Sequence, residues 1–532
     1  MHKTDEHFVD RAIELLKTNG EGDVFRPPFF CHSPDLVYLS TNANQLKIRK
    51  DAITFLHRKK IKNFSNIIKF PVPKNAYAYR KASMIDIDDH VKFLSLVLMA
   101  AGYIEKNRIP KNKNIIFSYR FLEKGPIFSE KYNFKKFKRE SSRLSKMKKH
   151  KVKIATDISN FYDRLNLHRL ESALASAAVP PDIVKSLNNL LLFWADRNSY
   201  GLPVGCDASR ILAEAALISV DRALISKGVR FIRFVDDYRI FASNFAQAHS
   251  YLHTLIEELD KEGLFLNTSK TVFFDISESD REDDQKDNIE KFEKIDQDER
   301  IEESKRVKVG YVSKIVKHYR YPGQEKIKEF QKADIEIIAK KAEKSTFEHA
   351  EEHITYFVKC FIYQGGKRHD LLNKIISRYI HSLSYIVDAL IEEHDKIDPQ
   401  EKILIAEMFK DFYRKHQISP YYRLMILRLF SCESYLSIQF LNEFLDNIKI
   451  HDNEIILREF CLRIQNIDDR SLIHRVRDIY QKSPTTVRRA FFHTYERSTA
   501  ILEGEKRAWM RNVQMSDVDP HLKSLSGQYL EP

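Results

Sequence analysis

Two adjacent carboxylates, Asp236 and Asp237, stand between apolar, β-prone runs in FIRFVDDYRIFA (Phe231–Ala242), and few folds tolerate that placement. Phe231, Ile232, Phe234 and Val235 precede them, and Ile240 and Phe241 follow. This is the pattern of two buried strands joined by a tight turn. Carboxylates at such a turn lose hydration and need a compensating positive group. The other Asp-Asp pairs, at Asp88, Asp283 and Asp468, lie in polar or helical surroundings. A second apolar strand ends on Asp157, in IATDISNFYD (Ile154–Asp163), with Phe161, Tyr162 and Asp163 after it. One carboxylate from each of two adjacent strands can hold two divalent ions about 3.5–4 Å apart, and magnesium prefers hard oxygen ligands of this kind. One ion then activates an attacking hydroxyl while the other stabilises a leaving pyrophosphate, the logic of nucleotidyl transfer. Asp157 and Asp236 are therefore the expected ligands of two Mg²⁺, for which Mn²⁺ can substitute. Asp237 is expected as an auxiliary catalytic and metal-binding carboxylate.

Between these segments lies GLPVGCDASRILAEAAL (Gly201–Leu217). Gly201 and Gly205 allow a tight backbone path close to a ligand, and Pro203 stiffens it. Ser209 and Arg210 open the following helix, whose first amides can face a phosphate. After the Asp-Asp hairpin, GLFLNTSKTVFFD (Gly263–Asp275) brings Lys270 back toward the sheet, with an ordinary surface lysine as the alternative reading. VKVGYV (Val307–Val312) reads as a further short hairpin strand bending at Gly310. The patterns predict strands over Val152–Asp157, Val229–Val235 and Tyr238–Ala242, and helices over Ser209–Ser226 and Phe245–Glu262.

A chain of 532 residues is expected to hold two or three domains. With 43% hydrophobic and 31% charged residues and a mean hydropathy of -0.44, neither a mostly disordered chain nor a membrane-spanning bundle fits. No apolar run reaches the roughly 18 residues of a spanning helix. The opening MHKTDEHFVDRAIELLKTNG mixes acids and bases and reads as no export address. Cys31, Cys206, Cys360, Cys432 and Cys461 form no C-x-x-C pair, which argues against a zinc knuckle or a disulfide framework and fits a reducing cytoplasm. The formal charge of +13 suits a polyanionic partner. It concentrates in Lys135–Lys153, with ten Lys and Arg against one Glu, which reads either as a phosphate-attracting segment or as a solvated helix face. Asp275–Glu303 reverses the sign, fourteen acids against five bases, and reads as a solvated insertion. From about Lys326 glycine nearly vanishes and amphipathic patterns follow one another, so this half is expected to be all-helical, with stacked helix pairs as an arrangement.

In order and spacing, DISNFYD, GLPVGCDASR, FVDD and LNTSKT resemble motifs A, B, C and D of the reverse-transcriptase palm. Phe234 stands where Tyr is usual in Y-x-D-D and keeps an aromatic ring. The resemblance implies an α+β right-hand core, with an N-terminal region and fingers over 1–150 and a palm over 151–320. An all-α domain over 321–532 follows. It casts Tyr162 as the steric gate that excludes a ribonucleotide 2′-OH, and Lys270 as a proton donor to pyrophosphate. It also makes Gly205 and Ser209 nucleotide-binding. YAYRKASM (Tyr77–Met84) loosely resembles the fingers segment that meets the triphosphate, through Arg80 and Lys81. IIFSYRFLE (Ile115–Glu123), together with the GLPVG...SR..AE form of motif B that ends on Glu214, looks most like the bacterial abortive-infection, defence-associated reverse transcriptases, and the long helical half is also like that group. No maturase domain or HNH-like cysteine set points to an intron enzyme, and retron enzymes are shorter. What that likeness implies is an RNA-directed DNA polymerase of the bacterial cytoplasm that acts in antiphage defence. Its substrates are dNTPs, its product DNA and its state a homo-oligomer. Synthesis is primed from a protein tyrosine and runs without a template in some members; a bound non-coding RNA as template is the alternative.

Tyr529, in the tail SLSGQYLEP, is the candidate protein primer if that end is flexible. RRAFFH (Arg488–His493) matches the R-x4-H spacing of HEPN-type ribonucleases, a rival from another chemical class that arginine- and histidine-rich chains reach by chance. A non-catalytic nucleic-acid scaffold is disfavoured because Asp157, Asp236 and Asp237 are all present.

Overall fold

The computed structural model describes residues 4–58, 64–75, 78–196, 198–276, 319–345, 350–448 and 454–531. They form two compact units that the chain enters more than once. The first takes Met1–Gly22, Gln45–Ile67 and Ile85–Arg300; the second takes Asp23–Asn44, Ile68–Met84 and Ile301–Pro532. The first elements are α1 (Asp5–Asn19), α2 (Pro34–Leu39), α3 (Asn42–Arg58), β1 (Ile68–Asn75), β2 (Ala78–Met84), α4 (Ile87–Asn107) and α5 (Phe134–Ser145). Then come β3 (Val152–Asp157), α6 (Phe161–Arg164), α7 (Leu167–Ser176), α8 (Pro181–Trp194), α9 (Asp207–Ala216) and α10 (Ile218–Ser226). The series closes with β4 (Phe231–Phe234), β5 (Asp237–Ala242), α11 (Phe245–Lys261) and β6 (Val272–Asp275).

The first unit is built on an antiparallel sheet of order β4-β5-β3-β6. Burial on both faces explains why its strands read as apolar runs rather than alternating ones: Ile154, Ile232, Ile240 and Phe241 are all buried. Helix α11 covers β3 and β5, and α5 packs on β4 and β5. The basic stretch resolves here. Asn133 caps α5 by accepting from the Lys136 amide, while Phe137 and Leu144 pack with Phe117, Ile232, Phe241 and Ile276. Lys135, Arg139, Arg143 and Lys146 remain exposed on the other face. Helix α4, capped by Asp86 on the Asp88 amide, is buried along most of its length against α1, α8 and α9.

The structure refines the predicted elements. The helix expected over Ser209–Ser226 is two, broken at Leu217 (φ −102°, ψ 3°), and the break lets Glu214 and Asp221 both reach one guanidinium, that of Arg233. The strand expected over Val229–Val235 is shorter, because Val235 leaves it with a φ of +57°. Val307–Val312 and the acidic block beyond Ile276 lie outside the described residues.

The second unit carries no strand beyond the β1–β2 hairpin among the described residues; the rest is helical. Helices Ala350–Tyr363, Leu383–Glu392, Pro420–Phe430, Glu454–Arg463 and Thr485–Arg497 each pack on the next in that series, with other helices between them in sequence. Their starts fall about 30–40 residues apart, the spacing of stacked helix pairs. The hairpin lies on Pro420–Phe430, and Asp23–Asn44 threads into the same core, where the Cys31 amide donates to Glu459 at 2.7 Å and α2 packs on Thr485–Arg497. All five cysteines are free thiols. Among the described residues no helix is long and apolar enough to cross a membrane.

Candidate active site

Register decides where the carboxylates meet. Strand β3 pairs with β5 so that Asp157 lies directly opposite Asp237, and Asp236 occupies the turn between β4 and β5. The Ile158 amide donates to the Asp236 carbonyl at 3.1 Å, tying the end of β3 to that turn. Asp157 and Asp236 are only 6% and 8% exposed. Oδ2 of Asp157 is 3.0 Å from Nζ of Lys270, which sits on a short 3₁₀ turn (Thr268–Lys270). The turn is held in place because the Asn267 amide donates to the Asp157 carbonyl at 2.8 Å, and Thr271 Oγ1 is 2.7 Å from Thr156 Oγ1. The other oxygen, Oδ1 of Asp157, is buried and has no hydrogen-bond partner.

That orphaned oxygen is the test of a cation site. A buried carboxylate oxygen without a donor is costly, and Asp157, Asp236 and Asp237 stand on adjoining strand ends with one lysine nitrogen against Asp157. A divalent cation fits this donor set. Among the described residues no group of three or more His, Cys, Asp or Glu side chains is placed to hold a metal ion on its own. Magnesium sites built from one or two carboxylates plus substrate phosphates do not need one.

The glycine loop is seated on the turn that carries Tyr162. Asn160 precedes α6 with φ +47°, and the Tyr162 carbonyl accepts from the Leu202 amide at 2.9 Å. Gly201 has φ +96°, and a Cβ there would stand 3.4 Å from the Asp163 carbonyl oxygen. Gly205 follows with φ +117°. Ser209 is fully buried with its Oγ 3.2 Å from Cys206 Sγ, so its side chain packs the start of α9. Arg210 pairs with Asp207 at 2.6 Å and lies over the Tyr119 ring.

Arg80 and Lys81 lie on β2 in the second unit. Tyr529 is there too, but not on a loose end: it belongs to helix Pro520–Leu530, and its hydroxyl donates to Glu503 at 2.8 Å. Partial burial and then Glu503 push the phenol up to about 12. Arg488 and His493 share helix Thr485–Arg497, five residues apart rather than the three or four that put side chains on one face. Arg488 is buried against Asp517 at 2.6 Å, and burial holds the His493 imidazole down at about 4.

Two contributors, one buried ion pair and one glycine, escape a full reading by motif. Arg233 and Glu214 are buried ions behind the Asp236 turn; Arg233 gives no sequence signal beyond a charge inside an otherwise apolar run, and Glu214 closes the motif B segment without a role being readable for it. Gly22 is the other. It has φ +151°, and a Cβ there would fall 2.3 Å from the Gly205 carbonyl oxygen, so the glycine loop rests on bare backbone.

Solved structures similar to the chain include telomerase from Candida albicans in complex with a TWJ fragment of telomeric RNA, at 10% identity and a TM-score of 0.29, covering 77% of this chain and 72% of that one. Apo telomerase from Candida tropicalis aligns at 11% identity with a TM-score of 0.31, over 76% of this chain and 73% of that one. No curated protein matches the chain. Residues 116–286 match the profile of the family described as "Reverse transcriptase (RNA-dependent DNA polymerase)". The stretch that carries Asp157, Tyr162, the glycine loop, Asp236, Asp237 and Lys270 is thus a reverse-transcriptase domain, and the enzyme is by that domain an RNA-directed DNA polymerase.

Proposed function

We propose that this chain performs metal-dependent deoxynucleotidyl transfer at Asp157, Asp236 and Asp237, copying an RNA template into DNA. The observation that carries the reading is the partnerless, buried Oδ1 of Asp157 on a strand whose end lies opposite Asp237. With two Mg²⁺ bound to these carboxylates, the ions supply activation of a primer 3′-hydroxyl and stabilisation of departing pyrophosphate. The protein's own part is to hold the carboxylates on paired strand ends and to exclude water from Asp157. Lys270 brings its Nζ to 3.0 Å from Asp157 Oδ2, within reach to donate a proton to the leaving pyrophosphate. Tyr162 stands where the sugar edge of a nucleotide is tested.

Purified protein incubated with labelled dNTPs, Mg²⁺ and a primed RNA should make DNA, and an Asp236→Ala, Asp237→Ala double variant should not. No product with templated, untemplated or self-primed reactions would refute the proposal. Denaturing gels with and without protease separate the priming modes. Label released only by protease means a protein hydroxyl is the primer, and Tyr529→Phe then tests that residue. RNase-sensitive product means an RNA primer or template. The motif resemblance extends the proposal to antiphage defence by abortive infection in a homo-oligomer, which is read by phage plating on cells carrying the wild type or the double variant.

Two variants probe the site's shape. Tyr162→Ala should raise ribonucleotide incorporation relative to dNTP by about tenfold or more, since discrimination rests on a clash. Unchanged selectivity removes the assigned role. Gly22→Ala forces a Cβ against the Gly205 carbonyl and should lower kcat/KM for dNTP by roughly 10- to 100-fold, the cost of misplacing a substrate-facing loop. An unaltered kcat/KM would mean that the loop's position does not matter to the nucleotide.

A further inference from the structure

Asp236 follows a residue in an expensive conformation. Val235 is β-branched and 1% exposed, and its φ of +57° lies in the left-handed region that such side chains avoid. Something must hold it there. Arg233, fully buried two residues earlier, donates from Nη1 to the Val235 carbonyl at 2.7 Å. Its remaining donors are fixed from the other side: Nε and Nη2 reach Asp221 at 2.9 and 2.6 Å, and Nη2 reaches Glu214 at 2.9 Å. Glu214 is in turn gripped by Arg108 at 2.6 Å and by the Ser118 hydroxyl. Burial alone would lower the Arg233 pKa, but Asp221 and Glu214 outweigh it and keep the guanidinium charged.

The connectivity gives this cluster a direction. Glu214 lies on α9, the helix that begins as the glycine loop ends, whereas Arg233 lies on β4, which runs into the Asp236 turn. Two acids and two arginines balance in charge, so an apolar cluster of equal volume could fill the same space at no loss of stability. What such a cluster could not do is donate to the Val235 carbonyl.

We propose that Arg233, oriented by Asp221 and Glu214, is a positioning residue that pins Val235 in the left-handed conformation and so sets where the Asp236 carboxylate stands, with Glu214 coupling that turn to the glycine-loop helix. The inference rests on the reading of Asp236 as a metal ligand.

The test measures Mn²⁺ affinity by electron paramagnetic resonance, without nucleotide, in wild type, Asp236→Asn, Arg233→Lys, Val235→Gly and the Arg233→Lys, Val235→Gly double variant. Lysine keeps the charge but cannot hold Asp221 and the Val235 carbonyl together. Arg233→Lys is expected to weaken Mn²⁺ binding about 10- to 100-fold, as loss of a group that orients a metal ligand does. Glycine tolerates the left-handed conformation unaided, so the double variant should recover most of that loss relative to Val235→Gly alone. Arg233→Lys with wild-type affinity, or a double variant no better than Arg233→Lys, overturns the proposal. Equal affinity in wild type and Asp236→Asn instead overturns the metal reading beneath it. Should Arg233→Lys fail to fold, the same rescue is read on Glu214→Gln, which keeps its size and loses its charge.

Discussion

Asp236→Asn is expected to lower DNA synthesis by on the order of 10³-fold or more under saturating dNTP, the scale on which charge stabilisation of a transition state acts. The substitution isolates charge from shape. Asparagine matches aspartate in size, and the turn is held by backbone contacts that do not use the side chain: the Ile158 amide on the Asp236 carbonyl and Arg233 on the Val235 carbonyl. A large loss with an unchanged thermal midpoint would therefore report lost chemistry rather than lost structure. Asp157→Asn should fall as far, and it also takes the ionic partner from Lys270. The measurement is single-turnover extension over a range of Mg²⁺ and Mn²⁺ concentrations. Activity within about tenfold of wild type at every concentration would remove Asp236 from the catalytic set.

The second large effect is on stability, in the other unit. Glu459 is fully buried and accepts from the Cys31 amide at 2.7 Å and from Arg458 at 2.6 Å. Glu459→Ala leaves the Arg458 guanidinium, 2% exposed, without its carboxylate, and breaking a buried pair in this way costs about 3–5 kcal/mol. Urea unfolding should show that loss. A local probe separates anchoring of the N-terminal segment from a general weakening. Burial, followed by Glu459, pushes the Cys31 thiol up to about 12, so the variant should label with a thiol reagent faster at fixed pH. A loss under about 1 kcal/mol with unchanged Cys31 labelling would show that Asp23–Asn44 is not secured through this carboxylate.

Much of the fold was legible because its signals are local. Val152–Asp157 is a strand over the predicted residues, Phe245–Lys261 is a helix to within one residue of prediction, and the glycine-poor half is helical. An apolar run needs no distant partner to declare itself as strand or helix. The ends proved less legible. Leu217 breaks a helix whose apolar spacing runs straight through it, and Val235 leaves a strand that its β-branched side chain favours. Both departures serve Arg233, a partner that neither segment announces. The same holds for Tyr529, whose tail composition suggests a loose end and whose helix is capped by Asp519 on the His521 amide.

Residue order by itself determined which carboxylates stand at strand ends, since a run of β-prone residues that stops on Asp157, or breaks at Asp236 and Asp237, encodes that through local sterics and desolvation. Only the tertiary structure decided that Asp157 faces Asp237 with one oxygen partnerless, because register is a property of two strands. It also decided that Gly22 backs the glycine loop and that residues near Cys31 join helices some 430 positions later. Contacts between residues so far apart in sequence leave no periodic trace in either partner, and only packing selects them.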